Sequence, residues 1–166
     1  MLLNLRTHIA RILMPTVHLS NWSSYRTPGA HGPGRKWTIM ARPRRWERGE
    51  GSVPLLAPDT DDLLLIQQGG LSRAAYRNAF LRLVAYRVKV KGSGIVPGGL
   101  LAETPLDPVP VADGDTLLCA CGVLRARAGQ CHRTWAAGLL ALAGWDVVLD
   151  QRPISPEQGR ALLGLE

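Results

Sequence analysis

Residues Thr116 to Asp150, TLLCACGVLRARAGQCHRTWAAGLLALAGWDVVLD, change period twice. A short apolar run of strand length comes first, then a loop, then apolar positions at helical spacing, then a second apolar run. Two buried strands joined by a helix imply a parallel β-α-β unit with a right-handed crossover, because antiparallel neighbours need only a tight turn. The reading places strands at 116–121 and 145–150 and a helix over Gln130 to Ala143, closed by Gly144. In open α/β sheets the carboxyl ends of the strands face the crevice where ligands bind. A site is therefore expected near Cys119, Cys121 and the helix start at Cys131.

The rest of the chain is read around that unit. TVHLS (16–20) and KWTIMA (36–41) are strand candidates, separated by the Gly/Pro/Ser loop NWSSYRTPGAHGPGR. Pro58 to Asp62 opens a helix with Asp59 or Thr60 as its cap, and Gly69-Gly70 closes it. Ser72 caps a second helix whose Tyr76, Phe80, Leu83 and Val84 form one apolar stripe. Lys91 to Asp115 reads as a connection rich in Gly and Pro. Ser155-Pro156-Glu157-Gln158 starts a short last helix with a capping box. The expected architecture is α/β: a small three-layer Rossmann-like domain with a mostly parallel sheet, over residues 14–166. Residues 1–13, MLLNLRTHIARIL, read as an N-terminal extension. They lack the continuous apolar core and small-residue cleavage site of a secretory signal.

The 166 residues suffice for one domain with a real core, and 46% apolar content is that of a globular chain. No run of 18 apolar residues occurs, so no membrane partner is expected. Three cysteines make no disulfide framework, and an odd count fits a reducing, cytoplasmic setting. The net charge is +7, and 17 of the 20 basic residues are Arg. Arg suits a phosphate- or carboxylate-bearing partner, although Arg-rich codon usage gives the same composition.

Cys131, His132 and Arg133 stand together at the helix start, where free N–H groups and the helix dipole favour an anion or a thiolate. Cys131 and His132 are thus candidate catalytic groups, with Arg133 as a phosphate fork and Arg125 and Arg127 in the preceding loop. The plainer reading makes Cys131, Trp135, Leu139 and Leu142 a buried stripe, with Cys119 also in the core. Cys119, Cys121, Cys131 and His132 also spell C-x-C-x9-C-H, four legal zinc ligands at a non-standard spacing. On a helix the adjacent Cys131 and His132 diverge by about 100°. The balance of these readings leaves no metal or cofactor expected.

The motif CAC…CHRTWAAGLL…GWDVVLD resembles the C-terminal signature of the domain of unknown function 488 family. There a strand ends in Cys, a short charged loop follows, and Cys-His-Arg opens the last major helix. Cys119 and Cys131-His132-Arg133 carry the likeness, with a looser echo in Ala41-Arg42-Pro43-Arg44 and in Tyr76 and Phe80. Where that family has Glu two residues after the strand Cys, this chain has Cys121. The resemblance implies a compact Rossmann-like domain of bacteria and their phages and supplies no reaction.

Between residues 26 and 48, Arg26, Arg35, Lys36, Arg42, Arg44, Arg45 and Arg48 face one acid, Glu47. Trp22, Tyr25, Trp37 and Trp46 are interleaved among them, the footprint of single-strand or flipped-base recognition. His31 is a candidate general acid or base. Gly29, Gly32 and Gly34 would let backbone approach a ligand. The expected function is processing of a nucleotide, nucleoside or nucleic-acid base, by N-glycosidase- or transferase-like chemistry. Arg35, Arg42, Arg44 and Arg133 would hold phosphate, and Trp22, Tyr25 or Trp37 would stack on the base. Two alternatives stay open: a non-catalytic nucleic-acid-binding accessory protein of a phage or bacterial DNA modification or defence system, and a thiol or zinc module.

Overall fold

The structure, a computed structural model, describes residues 14–24, 27, 29–47, 49–91, 95–96, 99–100, 111–121 and 131–165. The proposed extension 1–13, Tyr25, Arg26, Arg48, Arg125 and Arg127, with most of the 91–115 connection, lie outside these residues.

β6 (Thr116–Cys119) is central and buried along its whole length. Leu117, Leu118 and Cys119 are fully shielded from solvent. Burying each Leu is worth about 2 kcal/mol, so the segment has a strong reason to sit in the middle of a sheet. It pairs in parallel with β1 (Thr16–Asn21) on one side and β2 (Lys36–Thr38) on the other. β1 pairs in parallel with β7 (Asp146–Leu149), and β2 with the two-residue β3 (Gly51–Ser52). β8 (Arg152–Ile154) adds an antiparallel edge, giving the order β3-β2-β6-β1-β7-β8. The fold is thus α/β with a mostly parallel sheet, as the period changes predict. A separate two-stranded hairpin, β4 (Ile95–Val96) and β5 (Gly99–Leu100), falls where a plain connection was expected.

Helix α3 (His132–Leu142) links β6 to β7, which flank β1 rather than each other. His132 to Gly138 are all buried. α4 (Pro156–Leu163) packs on α3 through a close backbone approach. A Cβ on Gly138 would stand 2.8 Å from the Gly159 carbonyl oxygen. α2 (Arg73–Lys91) brings Tyr76, Phe80 and Val84 into the core; Tyr76 meets Trp135 edge-on at 5.1 Å and Phe80 meets it at 5.8 Å. α1 (Thr60–Gln67) is different. Asp59 caps it, but none of its residues is buried, although four are apolar.

Five parallel strands point the same way. Their carboxyl ends therefore bring Asn21, the segment after Thr38, Ser52, Cys119 and Asp150 to one edge of the sheet.

Candidate functional site: a three-sulfur cluster beside a cavity

The carboxyl end of β6 places Cys119 and the bend after it places Cys121. Cys131 is the N-cap residue of α3, in extended backbone that turns its side chain back toward the strand. The three sulfurs all lie within 4.8 Å of one another, and those of Cys119 and Cys131 are 3.3 Å apart. Cys119 and Cys131 are buried, whereas Cys121 is half-buried.

Arg133, in the first turn of α3, is wholly buried. Its Nη1 donates to the Cys119 sulfur at 3.4 Å and to the Cys121 carbonyl at 3.1 Å, and its Nη2 donates to Asp150 at 3.0 Å. Burial alone would lower its pKa, but the thiols of Cys119 and Cys131 and the Asp150 carboxylate more than offset that, so the guanidinium stays charged. Burial pushes the Cys119 thiol up. The neighbouring sulfurs push Cys131 up as well. Hydrogen bonds from Cys119 and Cys131 pull Cys121 down. A single negative charge in the cluster therefore belongs on the least buried sulfur, that of Cys121, with the other two thiols close beside it. The helix-start argument placed that charge on Cys131; contact with two other sulfurs reverses it.

Beside the cluster lies a cavity of about 690 Å³, lined by Leu63, Ile66 and Gln67 of α1, Leu71, Arg73 and Tyr76 of the next segment, and Cys121. Tyr76 is 2% exposed, and its hydroxyl has no hydrogen-bond partner among the described residues. Burial and the nearby thiols hold that phenol protonated, with its pKa well above the usual value. It is a donor waiting for an acceptor.

The other expected site residues go elsewhere. His132 is buried, and its Nε2 lies 2.8 Å from the Ile39 carbonyl oxygen, so that nitrogen carries the proton and donates. Burial lowers its pKa to about 4, and it packs against Phe80 as a neutral ring. His31 lies 3.5 Å from the Ser24 hydroxyl, its pKa lowered chiefly by burial. Trp37 is in the core with Nε1 donating to Asp115 at 2.8 Å. Arg35 reaches the same carboxylate at 3.1 Å and lies over the Trp37 ring. Trp22 is buried and meets Trp46 edge-on. Gly32 and Gly34 approach internal partners rather than an open site: a Cβ on Gly32 would fall 2.3 Å from the Gly114 carbonyl, and one on Gly34 2.5 Å from Asp115. Arg42 and Arg44 are exposed, on the segment after β2 at the carboxyl edge of the sheet.

Sequence reasoning gathered the three cysteines but gave two participants no role. Tyr76 was taken for core, since its position on the α2 stripe says nothing about where its hydroxyl ends. Asp150 had one signal, its place directly after the last parallel strand, where site residues belong. No protein-family model matches this chain, nor does any curated protein or solved structure.

Proposed function

We propose that the protein is an enzyme whose reacting group is the Cys121 sulfur, working on a small ligand held in the adjacent cavity. The observation that carries this reading is the convergence of three sulfurs on a buried arginine, with one sulfur opening onto a 690 Å³ cavity. Buried inert cysteines are usually scattered through a core, whereas reactive ones are partly exposed and sit near positive charge. Cys121 meets both conditions. Cys119 and Cys131 lie within 4.8 Å of it, Arg133 supplies the charge beneath, and the unpaired Tyr76 hydroxyl is a donor left for the ligand.

The ligand class we propose is a nucleoside, nucleotide or base. The cavity joins apolar walls at Leu63, Ile66 and Leu71 to polar ends at Gln67, Arg73 and Tyr76, a mixture that suits a flat heterocycle. A three-layer Rossmann-like arrangement and membership of the domain of unknown function 488 family belong to the same proposal. The test is protection of Cys121 from iodoacetamide by a panel of bases, nucleosides and nucleotides. One class is expected to slow labelling at least about tenfold. A panel in which nothing slows it removes this ligand class.

A second reading rests on a separate observation. Arg42, Arg44 and Arg45 are exposed beside Trp46, which is 62% exposed, on the segment after β2. Cations around an exposed aromatic ring suit a single-stranded nucleic acid. Labelled single-stranded DNA should then bind more weakly as salt rises, and the triple alanine variant at these arginines should flatten that dependence. Salt-independent or absent binding removes the reading.

A further inference from the structure

We propose that Cys119, Cys121 and Cys131 together bind a divalent thiophilic cation of the Zn²⁺ class, its fourth coordination position facing the cavity. This inference rests on the reading of the sulfur cluster as the working site; with the ion bound, Cys121 is one of its ligands and the reacting position is the open one.

Geometry comes first. A tetrahedral ion at about 2.3 Å from each thiolate holds sulfurs about 3.8 Å apart. The three sulfurs here lie within 4.8 Å of one another and start from 3.3 Å between Cys119 and Cys131. These separations bracket the spacing such an ion requires. The backbone is also well placed to hold still: Cys119 ends a central strand paired on both sides, and Cys131 is fixed as the N-cap of a buried helix.

The donor set then selects the ion. Three sulfurs with no oxygen or imidazole among them discriminate against Mg²⁺ and Ca²⁺ and favour zinc-like ions. His132, which the C-x-C-x9-C-H spacing would make a fourth ligand, is held instead on the Ile39 carbonyl. Among the described residues three protein ligands leave one position open, the arrangement of catalytic rather than structural zinc sites. That position falls on the cavity side, because Cys121 lines the cavity and Cys119 and Cys131 are sealed beneath it.

Two further groups fit such an ion. Tyr76 is 2% exposed and lines the same cavity, and its hydroxyl has no partner among the described residues, which leaves a donor for an oxygen in the fourth position. Arg133 donates to one ligand sulfur and to the carbonyl of another ligand residue, the outer-shell contact that orients metal ligands. A divalent ion offsets most of the charge of three thiolates, which this interior could not otherwise hold, while the Arg133 guanidinium is shared between the cluster and Asp150. Binding is charge-balanced: each thiol that enters the coordination shell loses its proton to solvent, and no electron moves.

The experiment is a titration of the reduced, metal-free full-length chain with Co²⁺ under anaerobic conditions. One equivalent is expected to give thiolate-to-cobalt charge-transfer absorption and the intense visible bands of tetrahedral Co²⁺, all displaced by Zn²⁺. Cys121→Ser, at the half-buried position, should retain the fold by circular dichroism and weaken binding at least about tenfold. Cys119→Ser and Cys131→Ser should do the same, read only where the fold persists. A folded chain without the charge-transfer band overturns the site. Undiminished binding in folded Cys121→Ser also overturns it, and binding confined to Cu⁺ overturns the divalent assignment. Iodoacetamide labelling of the same metal-free chain keeps the two ideas separate. Fast labelling of Cys121 without Co²⁺ binding would remove the cation and leave the thiolate reading standing.

Discussion

Asp115 shows how much of this chain's stability one side chain can gather. It accepts from the Arg35 and Ala112 backbone N–H groups, from Trp37 Nε1 and from Arg35 Nη2, just before the central strand. Burial raises its pKa, but those hydrogen bonds more than offset the effect and leave the carboxyl below its usual value. A carboxylate with a depressed folded pKa stabilises the fold above its unfolded pKa, about 4, and loses that contribution as pH falls through the folded value. Asp115→Asn should therefore cost about 2 kcal/mol at neutral pH, with the gap from wild type closing in denaturant melts taken below about pH 4. A gap unchanged at low pH would contradict the charge assignment. Asp150 plays the matching part at the other edge. Asp150→Asn strips the ion pair from a wholly buried Arg133, and a loss of about 3 kcal/mol is expected in the same assay. The composition suggested that arginines serve an external anion, and Arg35 and Arg133 instead hold internal carboxylates. Nothing in a linear sequence says which arginine has an aspartate waiting 17 or 80 positions away.

Elements with long, buried, periodic runs were legible; those set by a pairing partner were not. β6 and α3 announce themselves because both are almost wholly buried, and their residue types follow from that. β8 is only Arg152–Ile154, includes Pro153 and is mostly exposed, so it shows no period. It forms because Asp150 and Gln151, both at positive φ (47° and 66°), close a two-residue hairpin with β7. Positive φ at both central positions is the geometry of a type I′ turn, which favours Gly. Gln151→Gly should therefore stabilise the fold by about 1 kcal/mol in chemical denaturation, and a loss would contradict the turn assignment. The α3–α4 contact predicts the opposite sign. Ala is the better helix former, yet Gly138→Ala puts a methyl within 2.9 Å of Leu163 Cγ and 2.8 Å of the Gly159 carbonyl. A destabilisation of about 1–3 kcal/mol is expected, and a more stable variant would show that the helices can separate freely.

Over the whole molecule, the parallel sheet has one chemical edge. The C-x-C spacing and a third Cys at a helix start were readable as a cluster; their convergence required β6 to be central and α3 to begin directly against it. The cavity was not readable, because its wall is α1, a helix with exposed leucines that sequence treats as an ordinary surface element. Among the described residues no helix is long and apolar enough to cross a membrane. The account turns on one distinction, that Cys121 is the open sulfur of three. Partial alkylation of the native, reduced, metal-free chain with iodoacetamide, mapped by mass spectrometry, reads that distinction directly. Cys121 should take the label first and nearly alone, with Cys119 and Cys131 labelled only after unfolding. Equal labelling of all three, or a Cys121 slower than the same residue in the unfolded chain, would contradict it.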